Sequence, residues 1–253
     1  MVKCPLCEKN TNLKLKIKNY QIYNCKKCEI SFLYPFPENI EKIYDKKYFE
    51  KWYLPYYDDR KKYFERLYLK LKNFIPEKGK ILDIGCGVGI LMKMFEEKKY
   101  EVIGYEISKF AINFCKENNL KVFDNFNFPE KSFDIITMMD VIAHVKNPLF
   151  YFEKSKKLLK EGGILIIKTP LHSNYMFFLA KLFSFTPKSK SILHIPAQIY
   201  HFNKKSIFEI AKMKNFKVEK VFIMKEFINR KFSILNVWKF FIEKSVVVIL
   251  KNE

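Results

Sequence analysis

With 253 residues, 49% of them apolar, the chain is long enough for one α/β domain plus a short appendage, which excludes a disordered chain. Its longest apolar stretches, such as Tyr175 to Ala180 and Val246 to Leu250, fall far short of the roughly 20 residues that cross a bilayer. Met1 to Cys7 also lacks the charged-then-apolar order of a secretory signal, so the expectation is no membrane span and a cytoplasmic location. The formal charge of +20 invites a nucleic-acid partner, but of 47 basic residues only Arg60, Arg66 and Arg230 are arginines, whose planar fork best matches phosphate and guanine. A solvated lysine surface is expected, with nucleic acid not the substrate.

The chain opens with Cys4-x-x-Cys7 and Cys25-x-x-Cys28, separated by 17 residues. That spacing marks a four-thiolate zinc site, because each turn aims two sulfurs at one point and two turns complete a tetrahedron around the ion. Two disulfides are the alternative, disfavoured where thiols stay reduced. The unit is set at residues 1–37 and ends on Tyr34-Pro35-Phe36-Pro37, whose prolines break regular structure. A purely structural zinc, folding some thirty residues too few to fold alone, stands beside a role in recruiting or covering substrate. Residues 38–79 read as a helical lead-in: Ile40, Ile43 and Tyr44, then Tyr63, Phe64, Leu67, Tyr68 and Leu71, recur at helical spacing until Pro76 and Gly79.

From residue 80 to 253, strands alternate with helices. Strands are expected at 80–84, 101–105, 121–123, 133–138, 164–168, 218–224 and 246–250. Helices are expected at 90–98, 108–118 with Ser108 as N-cap, 149–159 closed by Gly162-Gly163, and 204–214. Such alternation predicts a doubly wound, mostly parallel sheet of seven strands with helices on both faces. Residues 170–203 read as an irregular aromatic cover over the site.

The first of these strands runs into Asp83-Ile84-Gly85-Cys86-Gly87-Val88-Gly89, a glycine turn at the carboxyl end where open α/β sheets bind ligands. A dinucleotide fingerprint would need glycine at 90, which is Ile90. Glu106 ends the next strand, where a carboxylate can accept both hydroxyls of a ribose. Cys86 and Cys115 read as small apolar fillers. At these residues, and in Phe133 to Val145, the sequence resembles the class I S-adenosylmethionine-dependent methyltransferases, in the branch that carries an N-terminal four-cysteine ribbon. The resemblance spans about Lys80 to Pro170. It implies a Rossmann-like fold and S-adenosylmethionine as cofactor, with Asp83 and the turn Gly85, Cys86, Gly87 and Gly89 at the methionine end and Glu106 on the ribose. It further implies Ile107 against the adenine, Asp124 or Asn125 beside its amino group, and Met139 and Asp140 lining the pocket. Ala143 stands where many relatives carry Glu.

The sulfonium of that cofactor activates its methyl group, so the protein must align a nucleophile and exclude water. An alcohol acceptor gains from a general base, and His144, just past the fourth strand, is the candidate; a helix-start or core histidine is the competing reading. His172, His194 and His201 fall in the cover, where Phe177, Phe178, Phe183, Phe185, Tyr200 and Phe202 suggest an apolar, aromatic lid. The ribbon-bearing relatives suggest a small-molecule or carrier-linked sugar acceptor; an RNA acceptor gripped by ribbon and lysines is the alternative.

Overall fold

The computed structural model describes residues 1–186, 188–225 and 244–253. Strands β1 (Asn12–Ile17), β2 (Tyr20–Asn24) and β3 (Ser31–Leu33) form an antiparallel meander. A 3-10 turn at Ile40–Ile43 leads to α1 (Lys46–Trp52), where Asp45 caps the helix by accepting the Tyr48 N–H at 2.9 Å. A second 3-10 turn (Leu54–Tyr56) precedes α2 (Tyr57–Leu71), which buries the stripe Tyr63, Phe64, Leu67 and Leu71.

The central domain runs β4 (Lys80–Ile84), α3 (Ile90–Glu97), β5 (Glu101–Tyr105), α4 (Lys109–Glu117), β6 (Val122–Phe123), β7 (Phe133–Met139), α5 (Pro148–Leu158) and β8 (Leu159–Pro170). The cover follows as α6 (Asn174–Leu182), α7 (Lys188–Ile192) and β9 (Tyr200–His201), and the chain ends with α8 (Lys204–Met213), β10 (Phe216–Lys225) and β11 (Lys244–Asn252). The sheet order is β10-β11-β8-β7-β4-β5-β6, with β11 antiparallel to both neighbours and the other strands parallel. The expected doubly wound, seven-stranded, mostly parallel sheet is therefore present. Its strand order reverses at β4, between β5 and β7, which opens the crevice beyond their carboxyl ends.

Two local expectations are corrected. The glycine pair does not close α5. That helix ends at Leu158 and β8 begins at once, with a bulge between the pairs Phe133–Leu159 and Ile135–Ile164. A side chain at Gly163 would come within 2.8 Å of the Lys160 carbonyl, so the glycine serves the bulge. Ser108 does occupy the N-cap position of α4, yet its hydroxyl donates to the Tyr44 carbonyl at 2.8 Å instead of capping the helix.

The cysteine-bearing segment takes its fourth strand from far along the chain: β9 pairs with β3 through Ser31–His201 and Phe32–Tyr200. Leu15, Ile17, Ile22 and Leu33 then share one buried cluster with Met176, Phe177, Ala180 and Ile192 of the cover. The ribbon is thus packed into the element that hangs over the crevice.

Candidate active site

A cavity of about 880 Å³ opens beyond the carboxyl ends of β4, β5, β7 and β8. Of the cofactor and catalytic candidates, Gly85, Gly87, Glu106, Ile107, Met139, Asp140 and His144 line it, as do His172 and His194 of the cover. Gly85, Gly87 and Gly89 have φ of +70°, +55° and +77°, a left-handed run that side-chain-bearing residues rarely adopt. At Gly87 a Cβ would lie 3.5 Å from the Tyr53 phenol, so the turn passes directly under the lead-in.

Asp83, Cys86 and Gly89 do not line the cavity. Asp83 is buried, accepts the Thr137 hydroxyl at 2.6 Å, and is pushed up to about 7 by burial, a rise that Thr137 opposes and the Glu106 charge assists. Cys86 and Cys115 are buried, and both thiols point to the Gly87 carbonyl, at 3.8 and 3.3 Å. Asp124 and Asn125 are exposed in the loop after β6 and line no part of the cavity; Phe126 of that loop stacks on Tyr105 with ring centroids 4.6 Å apart.

Glu106 is 7% exposed, and its carboxylate accepts three backbone N–H groups: Gly87 at 2.8 Å on one oxygen, Ile107 at 2.7 Å and Ser108 at 2.9 Å on the other. Ile107 beside it is 51% exposed, an apolar side chain at the cavity rim with nothing over it. A buried acceptor, an uncovered apolar face and a turn without side chains together suit a ligand with ribose, purine and amino-acid ends.

His144, also on the cavity lining, turns Nδ1 to the Ala197 carbonyl at 2.9 Å and to the Tyr44 hydroxyl at 2.7 Å. A carbonyl only accepts, so the tautomer that satisfies Ala197 is the one with the proton on Nδ1, its donation shared with the Tyr44 oxygen and the lone pair on Nε2. Burial, opposed by that carbonyl, pushes the imidazole down to about 4. Burial also holds the Tyr44 phenol well above its ordinary value, so it stays protonated. Ile199 and Tyr200 donate to the Ala143 carbonyl at 2.8 and 3.1 Å, which fixes the cover against the segment bearing His144.

The cavity also holds an ion pair, of which Asp140 was expected from the sequence and Lys168 was not. Lys168 near the end of β8 donates to Asp140 at 2.6 Å, with its own side chain 7% exposed, and Asp140 adopts φ +61°. The signal was present: Lys168 is the one charge in the apolar run Ile164 to Thr169.

The aromatic lid is corrected. None of Phe177, Phe178, Phe183, Phe185, Tyr200 and Phe202 lines the cavity. Phe177, Tyr200 and Phe202 are consumed in packing against the ribbon sheet, while Phe178 and Phe185 face solvent. The aromatic wall comes from the lead-in, as Tyr44, Tyr48, Phe49, Trp52, Tyr53 and Tyr63. Of these, helical spacing places Tyr44 and Tyr63 on amphipathic helices of the lead-in and gives them no role at the cavity.

In the ribbon the Sγ atoms of Cys4, Cys7, Cys25 and Cys28 all lie within 4.8 Å of one another, and none is in a disulfide. Cys7 and Cys25 are 3.6 Å apart, close to the roughly 3.8 Å edge of a tetrahedron of sulfurs about 2.3 Å from a zinc ion. The donor set fits zinc.

A seven-stranded sheet with one antiparallel strand, a glycine turn after β4 and an acidic residue after β5 define the class I S-adenosylmethionine-dependent methyltransferase fold. A family model described as a methyltransferase domain matches residues 56–221, and the chain belongs to that family. Among curated relatives, a ubiquinone biosynthesis O-methyltransferase of Pelagibacter ubique is 37% identical over 99 residues, covering 36% of this chain and 41% of its own length. An uncharacterized protein of Methanocaldococcus jannaschii is 29% identical over 69% of this chain and 81% of its own. The chain thus spans less than half the length of the Pelagibacter enzyme. Among solved structures, magnesium protoporphyrin IX methyltransferase of Synechocystis PCC 6803, with bound S-adenosylhomocysteine, superposes with a TM-score of 0.64 at 14% identity, covering 85% of this chain and 98% of that one. Among the described residues no helix is long and apolar enough to cross a membrane.

Proposed function

We propose that this chain transfers a methyl group from S-adenosylmethionine to a hydroxyl of a small molecule, of which a carrier-linked sugar is one kind. The observation that carries the reading is that one cavity is lined by Gly85, Gly87, Glu106, Ile107 and Met139 together with His144. The cofactor, when bound, supplies an electrophilic methyl group. Glu106 would hold the ribose by the acceptor capacity its three N–H donors leave, and Ile107 would cover the adenine. His144, neutral at physiological pH and held by Ala197, would take the acceptor proton at Nε2. Tyr44 and the neighbouring aromatics would exclude water from the transfer. O-methyl transfer is what the names of several curated relatives describe.

The four cysteines would hold a structural zinc that fixes the ribbon, and through β3–β9 pairing the cover. Methyl transfer is tested by incubating the protein with S-adenosylmethionine carrying a labelled methyl group and a panel of phenols, sugar nucleotides and RNA. Label in a small-molecule hydroxyl supports the reading; label in RNA alone overturns it.

A further inference from the structure

Helix α6 of the cover is apolar nearly all round: besides the Tyr175 hydroxyl, only Asn174 and Lys181 of its 9 residues are polar. A helix of that composition is ordinarily buried on every side. Its inner face is buried, with Met176, Phe177 and Ala180 packed among Leu15, Ile17 and Ile192. Its outer face is not. Tyr175, Phe178 and Leu182, spaced at i, i+3 and i+7, are 59%, 61% and 59% exposed, and Phe185 in the turn beyond the helix is 92% exposed. Large apolar side chains left together in solvent mark a surface that a partner covers. The charge around them says which partner. Residues 9–28 of the ribbon and 162–208 around the cover carry twelve lysines and no aspartate or glutamate, so more than half of the net charge of +20 lies in these two segments. Lys181 is exposed on α6 itself, and Lys18 is exposed at the turn between β1 and β2. That turn lies beside the cover, because Lys190 of α7 rests 4.7 Å from the centroid of the Tyr20 ring.

We propose that the outer face of α6, with its flanking lysines, docks the protein on an anionic lipid surface. A bilayer bearing negative headgroups meets both demands of this face, an apolar interior for the ring side chains and counter-charge for the lysines. A second copy of so basic a face would be repelled by like charge. RNA meets only one demand: arginine, which best holds phosphate, is absent from both segments, and Leu182 offers no ring to stack on a base. At 9 residues the helix lies in the interfacial plane and does not span. Met176 on its inner face lines the cavity, so the docked helix is also part of the cavity wall. Docking is separate from methyl transfer and needs no cofactor.

The test is cosedimentation of the full chain with vesicles of phosphatidylcholine alone and of phosphatidylcholine mixed with phosphatidylglycerol. The parent is expected to bind the mixed vesicles about tenfold more tightly than the neutral ones, and less tightly as salt is raised. Phe178→Ser combined with Phe185→Ser should weaken that binding by about tenfold or more, since two rings no longer enter the bilayer. Both rings face solvent, so the melting temperature should stay at the parent value. Lys181→Glu supplies the same readout should the double variant fail to fold. Leu69→Ser, 62% exposed but on α2 and outside both segments, should leave binding unchanged. A parent that ignores the mixed vesicles, or parent-like binding by the double variant and by Lys181→Glu, overturns the proposal. A loss of equal size in Leu69→Ser also overturns it, by showing that no one face is used. An oligouridylate that displaces the protein from vesicles, and whose own binding falls in the double variant, would assign the face to RNA and overturn it too.

Discussion

The Glu106 carboxylate accepts the Gly87 backbone N–H at 2.8 Å, tying the end of β5 to the glycine turn after β4. As a strand-end carboxylate it was expected to serve the ligand alone. It also holds the turn through Gly87, while Ile107 and Ser108 share its other oxygen. Removing it leaves three donors without an acceptor, at a cost of about 1–3 kcal/mol for each that water cannot reach. Glu106→Ala is therefore expected to weaken S-adenosylhomocysteine binding by roughly tenfold to a thousandfold and to lower the melting temperature by several degrees. Parent-like values for both in titration and thermal melts would refute the ribose and the turn-holding roles together.

His144→Ala should separate from that variant. If Nε2 takes the acceptor proton, turnover falls by about a hundredfold or more while cofactor affinity stays near the parent value. Tyr44→Phe removes a partner of Nδ1 but leaves the Ala197 carbonyl in place, so a smaller loss of turnover is expected. Equal turnover in His144→Ala and the parent would show that no base is used here.

Lys168 and Asp140 should prove unequal to their separate deletions. Lys168→Met removes the cation from a carboxylate that is one-third exposed, and should cost about 1–3 kcal/mol, less than the breaking of a fully buried pair. Adding Asp140→Asn should recover part of it. Denaturant unfolding of both single variants and the double variant measures the coupling, and strict additivity would show the pair to be energetically silent.

Acid should destabilise the fold before general carboxylate protonation does. Burial, opposed by the Leu193 carbonyl, holds His201 down to about 4, and burial assisted by His201 holds His172 well below its ordinary value. Between pH 6.5 and about 4 the unfolded chain binds protons that these folded histidines refuse, so stability is full above about 6.5 and falls as pH drops. His201 alone accounts for up to about 3 kcal/mol at the bottom of that window. Asp83 has the opposite sign: pushed up to about 7, it keeps a proton in the folded state that the unfolded state releases, and its contribution is lost as pH rises from about 4 to 7. His144, His172 and His201 outweigh it. Unfolding free energies at pH 7 and 5 should show the net loss, and His201→Asn should flatten the slope; a slope unchanged in the variant would refute the assignment.

The four cysteines are expected to hold one zinc ion per chain. Metal analysis should find it, and Cys25→Ser should lose it, with β1 to β3 and the paired β9 loosened in hydrogen exchange. A variant with unchanged metal content would remove the site.

The sheet was legible because its signals are local. Apolar runs such as Lys80 to Ile84 and Phe133 to Met138 can only be buried strands, and the order of glycine turn and acid is carried by contiguous residues. The cysteine cluster was legible for the same reason, since two short turns fix four sulfurs. What the sequence could not reveal was which wall each aromatic would face. Helical spacing placed Tyr44 and Tyr63 in an amphipathic lead-in but did not show that the lead-in closes the crevice, and the cover's phenylalanines looked like a lid until β9 joined β3 and drew Phe177, Tyr200 and Phe202 into the ribbon core. Pairings such as Lys168 with Asp140, Tyr44 with His144 and Arg60 with Tyr53 depend on contacts between elements distant in the chain or on side-chain orientation within one helix pair. Local propensity and spacing set the elements and the glycine turn. Only their packing in three dimensions decided which side chains meet in the cavity, because burial and hydrogen-bond partners are properties of neighbours in space and not of neighbours in sequence.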